Sequence, residues 1–390
     1  MGEVTKSLIG NQYLVKYSVG HTQAGIRLDR FLMARYRKRS REQLKKAIDS
    51  GAITISREGG KHLNLGRIKP SIPLQIGDVV HVLSRRAKEP EVNFNYQLLF
   101  EDDSILVINK PPNLPVHPAG RFFFNTLIVH LKTKGFTNDT ESTNDFYLVH
   151  RIDKETSGVL LLAKTKEACN NLTAQFRNRE TDKYYLAIAR GTPAQDQFDV
   201  EAPLGKNPES PIGLKMYERP ESMGGLSAHT HFEKIETRGD YTLLACFPRT
   251  GRQHQIRVHA DIAGLPLLGD KLYGMSEKDC LVMLDHHRDL RLEEMSAADE
   301  ESVSDELSPE ELELVEEGED TADKPVNLRY QQIVNSLIIP RHALHAAGLR
   351  FKHPATGADM VFESGLPDDL REFFEGLTDQ PLAPFKTKHW

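Results

Sequence analysis

The sequence predicts an α+β protein in which a mixed, mostly antiparallel sheet with a few covering helices follows a small N-terminal α/β module. Apolar segments of strand length, such as YYLAIAR, YTLLACFP and MVFE, are separated by turns over most of the chain. Segments with helical periodicity are rarer, namely NTLIVHLKT, EACNNLTAQFRN and RQHQIRVHADIAG. Near the start, GIRLDRFLMARYRKRSREQLKKAIDSGAITIS has the pattern of two short helices and a strand. A chain with many strands and few helices is most economically arranged as one large sheet that the helices cover.

The N-terminal module is expected to span residues 21–85, after an extension at residues 1–20 with one short strand, QYLVKYSV. Ser40 followed by Gln43 is typical of a capping box at the start of the second helix, and Gly51 is typical of its end. The segment SIPLQIGDVVHVL is expected to close the module as a hairpin-like pair of strands.

Charge is segregated along the chain. Residues 293–323 contain 15 acidic residues and no Lys or Arg, although the formal charge of the whole chain is only −6. Residues 27–86 carry 15 Lys or Arg against 5 Asp or Glu. A basic module and a separate acidic run indicate a polyanionic partner and a segment that does not touch it. We expect the acidic run to be an insertion at residues 276–324, either a flap that repels non-target polyanions or an inert loop.

The remaining boundaries follow from composition. RAKEPEVNFNYQ contains Pro and charged residues and few apolar ones, which predicts a linker at residues 86–98, a body at 99–377 and a tail at 378–390. The chain has no run of 18 apolar residues, and its start lacks the basic and apolar regions of a secretory signal. Its three cysteines are scattered, without metal-ligand or redox spacing. We therefore expect a cytoplasmic protein with no disulfides and no membrane association.

Three blocks of the body contain more polar residues than a scaffold needs. NKPPNLPVHPAGRFFFNT is a Pro-stiffened loop with His117 and Arg121, and HRIDKETSGVLLLAKT places Asp153 before a turn and a buried strand. PRTGRQHQIRVHADIAG leads from a Thr-Gly turn into a helix. In that helix His254 and His259 are five residues apart rather than four, so a helical zinc pair is not expected.

In their order and spacing these blocks resemble those of the RluA-type RNA pseudouridine synthases, which isomerise uridine within RNA. HRIDKETSG, GRQHQIRVH, LLGDKLYG and HALHAAGLRFKHPATG are similar to signatures of that family, as is the Pro-rich loop. The resemblance covers about residues 99–275 and 336–365, and residues 25–85 resemble the S-four-type RNA-binding module. It implies an isomerase that cleaves the N1–C1′ bond of uridine, turns the uracil and rejoins it through C5.

The resemblance also assigns catalytic residues. The reaction oxidises nothing and loses no group, so no cofactor is implied. A carboxylate can stabilise or trap the positive charge that develops on the sugar, and Asp153 matches that role, by attack on C1′ or by taking a proton from C2′. Arg257 is implied as the ionic partner of Asp153, and Tyr185 as the group that stacks on uracil or accepts the C5 proton. Glu155 is expected to be an exposed turn residue.

Other residues are expected to bind RNA. Arg151 matches the family arginine that helps to hold the target nucleotide out of its stack, which offsets an extrusion cost of a few kcal/mol. The other expected contacts in the body are His150, Thr156, Arg252, His254, Gln255, Ile256, His117 and Arg121. Those in the basic module are Arg35, Arg37, Arg39, Arg41, Lys45 and Lys46, whose crowded charges would repel one another without phosphates to neutralise them.

Two other classes of function stay open at this point. A non-catalytic RNA-binding or ribosome-assembly factor could use the same fold, although pure binding does not need Asp153, Tyr185 and Arg257 together. A small-molecule nucleosidase or glycosidase is disfavoured by the basic module and by the missing second carboxylate. The expected partner is RNA, either ribosomal RNA or tRNA, with no obligate protein partner and a monomeric chain.

Overall fold

The computed structural model describes residues 4–9, 12–36, 40–57, 61–62, 68–85, 89–119, 122, 124–134, 146–284 and 328–382. These residues divide into two compact units, with the boundary between residues 88 and 89. Arg37, Arg39, Arg121 and residues 285–324 of the expected acidic insertion lie outside the described residues.

The first unit is a five-stranded antiparallel sheet with two helices, in the strand order β1-β2-β5-β3-β4. Its elements are β1 (Val4–Ile9), β2 (Gln12–Ser18), α1 (Leu28–Arg35), α2 (Arg41–Asp49), β3 (Ile53–Arg57), β4 (Lys61–His62) and β5 (Val79–Arg85). The predicted capping box at the start of α2 is confirmed, because Ser40 and Gln43 exchange side-chain to backbone hydrogen bonds.

Two expectations for the first unit were wrong. Residues 4–9 and 12–20, expected to lie in an extension, belong to the module, because β1 pairs with β2, and β2 pairs with β5 along its whole length and packs Val15 and Tyr17 against the core. The stretch before β5 does not form a second strand of a hairpin. Its only bridge in the described residues joins Pro73 to Arg27, and a proline has no N–H to donate to a ladder.

The second unit contains the predicted mixed, mostly antiparallel sheet, in the order β11-β14-β15-β10-β16-β9-β7-β6, with β17 paired to β16 and β8 to β9. The contact of β9 with β16 is parallel. The strands are β6 (Gln97–Glu101), β7 (Ile105–Lys110), β8 (Tyr147–Leu148), β9 (Ser157–Ala163), β10 (Asp182–Arg190), β11 (Gln197–Val200), β14 (Thr230–Arg238), β15 (Tyr241–Pro248), β16 (Leu344–Lys352) and β17 (Asp359–Glu363). A separate ribbon pairs β12 (Leu204–Gly205) with β13 (Tyr217–Glu218).

Helices cover this sheet. The three helices predicted for the body are confirmed as α3 (Leu127–Lys134), α4 (Lys166–Asn178) and α5 (Gln255–Ile262). A 3₁₀ turn (Glu221–Met223), α6 (Leu328–Ser336) and α7 (Asp368–Glu375) were not predicted. None of the helices in the described ranges is long and apolar enough to cross a membrane.

The first residues of the expected acidic insertion, 276–284, belong instead to the body, because they pack against the chain that follows it. Residues 277–284 are helical, and Met283 packs against Ile333 and Leu337 at the end of and just after α6. Arg329 Nη2 lies 2.6 Å from Asp279 Oδ1. These contacts join residues 277–284 to α6 within the body.

The parallel contact between β9 and β16 depends on Gly158. One row of the sheet aligns Gly158, Ala346 and Tyr185 across β9, β16 and β10. Gly158 has φ +113°, and a Cβ on it would lie 2.2 Å from the carbonyl oxygen of Ala346. A side chain at this position is therefore excluded by both conformation and space. The Thr-Ser-Gly sequence at the start of β9 allows the close approach that brings three strands to one site.

Replacement of Gly158 by Ala is expected to lower the free energy of unfolding by more than about 3 kcal/mol, since backbone strain adds to displacement of β16. Gly239→Ala is the matched control, because Gly239 also has a positive φ (+56°) but faces open space. It should cost only about 1–2 kcal/mol. Urea unfolding of both variants measures the difference, and equal losses would contradict the close-approach explanation.

Candidate active site

A cavity of about 500 Å³ lies in the second unit, between the turn before β9, the start of β10, the end of α4 and the segment that leads into α5. This volume is in the range of ligand-binding sites. Asp153, Tyr185 and Arg257 all line it, although they come from a turn, a strand and a helix. The fold thus brings together the three residues expected to be catalytic.

Asp153 is held in a tight turn, in which the N–H of Thr156 donates to the Asp153 carbonyl oxygen at 3.2 Å. Arg257 Nη1 donates to Asp153 Oδ2 at 3.0 Å. Burial by itself would raise the pKa of the Asp153 carboxyl, but the positive charges of Arg257 and Arg151 lower it below its usual value. The carboxylate is therefore ionised at neutral pH in a largely buried place.

Arg257 is shared between two carboxylates. Its Nε and Nη2 donate to Asp270 at 2.7 and 2.8 Å, and its guanidinium lies 5.1 Å from the centre of the Tyr273 ring. Burial opposes the charge of Arg257, but the two carboxylates raise its pKa. Sequence reasoning missed Asp270, although it stands in the LLGDKLYG block that carried part of the resemblance. Asp270 orients the guanidinium toward Asp153.

The residues after Asp153 are anchored from three sides. Lys110 is fully buried at the end of β7, and its Nζ donates to the carbonyl oxygen of Lys154 at 3.1 Å. Arg341 Nη1 donates to the carbonyl oxygen of Glu155 at 3.2 Å. The Glu155 side chain is not exposed, contrary to expectation, because its carboxylate pairs with Lys271 at 2.5 Å and is only 15% exposed. The turn that carries Asp153 is therefore held by other segments, through its backbone carbonyl oxygens and through the side chain of Glu155.

Tyr185 lies half-buried in the cavity wall. Burial raises the pKa of its phenol, and the negative charge of Asp153 raises it further. The phenol is therefore protonated at neutral pH, which suits stacking and hydrogen-bond donation better than proton acceptance.

His254 stands at the start of α5 with φ 57°, a left-handed conformation that non-glycine residues seldom adopt. Its Nδ1 lies 3.0 Å from Tyr273 Oη, and its Nε2 lies 3.9 Å from Asp153 Oδ2. Burial, with the charge of Arg257, lowers the pKa of His254 to about 4. The imidazole that faces Asp153 is therefore neutral at pH 7.

Two residues expected to bind RNA are engaged by the framework. His150 Nε2 accepts a hydrogen bond from the Leu161 N–H at 3.0 Å, and its ring stacks on Phe176 with 4.7 Å between centroids. Thr156 is buried, and its hydroxyl lies 2.8 Å from His342 Nε2. Both residues line the cavity, but these polar contacts hold the turn and β9 in place.

The same holds for two residues of α5. The side chain of Gln255 is buried and bonds the hydroxyls of Thr250 and Thr230 and the backbone of Arg252 and His229. Ile256 is buried in an apolar cluster with strands β10 and β15. These residues fix the start of α5 and so fix Arg257, which lies in the same first turn.

Three expected contact residues are placed at the rim. Arg151 is exposed, and its Nη1 lies 3.3 Å from His117 Nε2. Burial, and then the charge of Arg151, lowers the pKa of His117. Arg252 lines the cavity, and its Nε donates to the carbonyl oxygen of Ser227 at 2.9 Å.

The cavity is strongly basic. Among the described residues that line it, Asp153 is the one carboxylate, against Arg151, Arg177, Arg179, Lys183, Arg249, Arg252 and Arg257. The nearby imidazole of His150 is neutral at pH 7, because burial lowers its pKa to about 3. Within the described part of the chain, no three His, Cys, Asp or Glu residues are arranged to hold a metal ion. A site with this charge suits a polyanionic ligand.

In the first unit, the expected basic surface is only partly as predicted. Arg35 is turned back on its own helix, where it donates to the Phe31 carbonyl oxygen at 3.1 Å and lies 3.6 Å from the Phe31 ring centre. Arg41, Lys45 and Lys46 are exposed along α2. Arg41 Nη2 also approaches Asp29 at 3.5 Å.

Comparison with known proteins decides the family. Residues 104–261 match the model of the RNA pseudouridylate synthase family. Ribosomal large subunit pseudouridine synthase D of Zymomonas mobilis is 32% identical over 90% of this chain and 94% of its own length. The chain belongs to the RNA pseudouridine synthase family. Ribosomal large subunit pseudouridine synthase C of Pasteurella multocida is 30% identical over 95% of this chain and 96% of its own length. Human RNA pseudouridylate synthase domain containing 4, a solved structure, is 25% identical and aligns over 72% of this chain and 92% of that chain with a TM-score of 0.47.

Membership makes the protein an RNA pseudouridine synthase, an isomerase that acts on RNA. The resemblance first seen in the five sequence blocks is thereby confirmed.

Removing the arginine bridge should cost both stability and activity. Arg257→Ala leaves two carboxylates without their partner, and breaking a buried pair costs about 3–5 kcal/mol of unfolding free energy. Asp270→Asn keeps Asp153 and Arg257 but loses the bidentate contact that orients the guanidinium, so turnover should fall roughly 100-fold. Thermal melts and tritium release from RNA with 5-tritiated uridine measure both effects. An Arg257→Ala protein with unchanged melting temperature and turnover would contradict the bridge.

The buried neutral histidines should make folding sensitive to acid. Burial lowers the pKa of His345 to about 4, below its ordinary value of 6.5, while its ring is bonded to Ser157 and Ser364. Between pH 6.5 and 4 the unfolded chain binds a proton that the folded chain does not, so stability falls as pH falls. His345→Gln should reduce this slope by about 1.4 kcal/mol per pH unit in that window. Urea unfolding from pH 7 to 4.5 tests it, with His21→Gln, at an exposed position, as the control. Equal slopes in the parent and His345→Gln would refute the prediction.

Proposed function

We propose that the protein isomerises specific uridines of ribosomal RNA to pseudouridine, with Asp153 as the catalytic carboxylate. Its relatives from Zymomonas mobilis and Pasteurella multocida are ribosomal large subunit pseudouridine synthases, which makes large-subunit RNA the first substrate to test, ahead of tRNA. The observation that carries the residue assignment is the ionised Asp153 paired with Arg257, in a cavity whose other charged residues, among those described, are cations.

Asp153 acts on the sugar. Cleavage of the N1–C1′ bond builds positive charge on the ribose, and a carboxylate held ionised at that point stabilises it, by attack on C1′ or by taking a proton from C2′. Arg257 keeps the charge on Asp153 when RNA excludes water from the cavity, since an ion pair offsets desolvation. No second carboxylate is required, because uracil leaves as a stabilised anion.

Tyr185 contacts the uracil base, and Arg151 contacts the RNA strand. The protonated phenol of Tyr185 provides a flat surface on which uracil stacks while it turns. Arg151 is exposed at the rim, where a guanidinium can stack on bases and bind phosphate to keep the target nucleotide extruded.

The first unit supplies further RNA affinity through α2. Arg41, Lys45 and Lys46 are exposed there, and phosphate contacts of this kind are independent of base sequence. On this proposal the protein works in the cytoplasm, where ribosomal RNA is made in bacteria, and needs no obligate protein partner.

Asp153→Asn is expected to abolish turnover and leave RNA affinity nearly unchanged, because the amide keeps the volume and loses the charge. Tritium release from RNA with 5-tritiated uridine measures turnover, and filter binding measures affinity. Asp103→Asn, at an exposed position outside the cavity, is the matched control. Turnover of Asp153→Asn within tenfold of the parent would overturn the assignment.

The RNA target is identified by mapping pseudouridines in total RNA from parent cells, deletion cells and deletion cells that carry Asp153→Asn. The proposal expects the loss of one or more pseudouridines from ribosomal RNA in both mutant strains. Losses confined to tRNA would move the substrate to that class, and no loss in any RNA would overturn the proposed function.

A further inference from the structure

Lys183 is a cation in the cavity wall that has no role in the proposed reaction. It lies on β10 two residues before Tyr185, so the two side chains are on the same face of the strand, and both line the cavity. Its Nζ faces the Thr-Gly turn before α5, where a Cβ on Gly251 would lie 3.8 Å from it.

The charge of Lys183 is not satisfied by the protein as far as the structure describes it. No hydrogen bond or ion pair among the described residues involves its Nζ, and it is half-buried. Three other buried or half-buried lysines of the same unit are paired, and the buried Lys215 has its Nζ over the rings of Tyr217 and Tyr273. Lys110 donates to three carbonyl oxygens, Lys164 pairs with Glu101, and Lys271 pairs with Glu155.

Placing an ammonium here without a partner is costly. Burial disfavours its charged form and lowers the pKa of Lys183. A structural role would be served as well by an apolar side chain of similar length, which would avoid the cost. The position therefore suits an ammonium group that gains its hydrogen-bond partner when a ligand enters the cavity.

The surroundings indicate an anionic ligand group. Arg177 and Arg179 at the end of α4 and Arg249 at the end of β15 line the same cavity. Uracil and ribose carry no charge in the substrate, whereas each linkage of the RNA backbone carries one negative charge. Charge-assisted hydrogen bonds to phosphate are among the strong ones in proteins.

We propose that Lys183 Nζ binds the backbone phosphate that adjoins the target uridine and so sets the position of the nucleotide between Tyr185 and Asp153. This inference rests on the proposed function, since it needs a uridine in the cavity. It makes Lys183 a substrate-contact residue for the strand rather than for the base.

The test compares Lys183→Met and Lys183→Arg with the parent on an RNA that contains the uridine found by mapping. Methionine keeps the length of the side chain and removes the charge, so kcat/KM should fall roughly 10- to 100-fold, the typical loss of one hydrogen bond to a charged group. Arginine should restore most of it. Lys166→Met, an exposed lysine of α4 outside the cavity, should behave like the parent.

A neutral phosphate identifies the contact. A single methylphosphonate is placed at the linkage 5′ or 3′ of the target uridine. At one of these positions it should lower kcat/KM of the parent by the same factor as Lys183→Met, and should cause no further loss in Lys183→Met. The slope of log K against log salt for RNA binding should shrink by about 0.7–0.9 in Lys183→Met, and its melting temperature should not fall below that of the parent.

The outcomes separate the two proposals. No tritium release by the parent from any RNA overturns the proposed function itself. If the parent releases tritium while the losses of kcat/KM caused by Lys183→Met and by either methylphosphonate multiply when the two are combined, the phosphate contact alone is overturned. The phosphate contact is also overturned if Lys183→Met lowers kcat while neither methylphosphonate has an effect, which would assign Lys183 to the departing uracil. A lowered melting temperature of Lys183→Met with an unchanged salt slope would overturn it as well.

Discussion

The arginine bridge between Asp153 and Asp270 is the interaction on which the site depends. Arg257 binds Asp270 through two nitrogens and reaches Asp153 with the third, so one side chain joins the turn before β9, helix α5 and the segment after it. Buried charges are tolerated only when they are paired and hydrogen-bonded. The Asp270 carboxylate also accepts the backbone N–H groups of Leu272 and Tyr273, which fixes the end of the bridge away from the substrate.

The rest of the body keeps Asp153 where that arginine can reach it. The turn that follows Asp153 is held through the carbonyl oxygens of Lys154 and Glu155, by Lys110 from β7 and by Arg341 from the segment before β16. Polar side chains in these places would normally point to solvent. Here they replace water as hydrogen-bond partners, so the catalytic carboxylate is preorganised before RNA arrives.

Charge divides the cavity wall into two kinds of group. Arg257 is fully committed to carboxylates of the protein, whereas Arg151 and Lys183 have charge available to a ligand. The histidines near the site are neutral, because burial lowers the pKa of His150, His254 and His342, so they shape the site without adding to its positive charge. A phosphate backbone supplies the negative charge that such a surface lacks.

The sequence by itself determined the fold class, three of the helices of the body and the capping box of α2, because local periodicity and turn chemistry are enough for these. The resemblance of five sequence blocks to a known family indicated Asp153, Tyr185 and Arg257 but not Asp270. The sequence did not show that residues 12–18 join the first sheet, nor that α7 covers the second, because pairing partners far apart in the chain leave no local signal.

Only the tertiary structure decided what each site residue does with its polar atoms. HQIRVH looked like a row of ligand-binding groups, yet the side-chain amide of Gln255 is hydrogen-bonded within the protein. Arg257 is oriented by Asp270, 13 residues later. Glu155 looked exposed and is paired with Lys271. Hydrogen-bond capacity is a property of a residue type, but which capacity remains for a substrate depends on the neighbours that folding supplies.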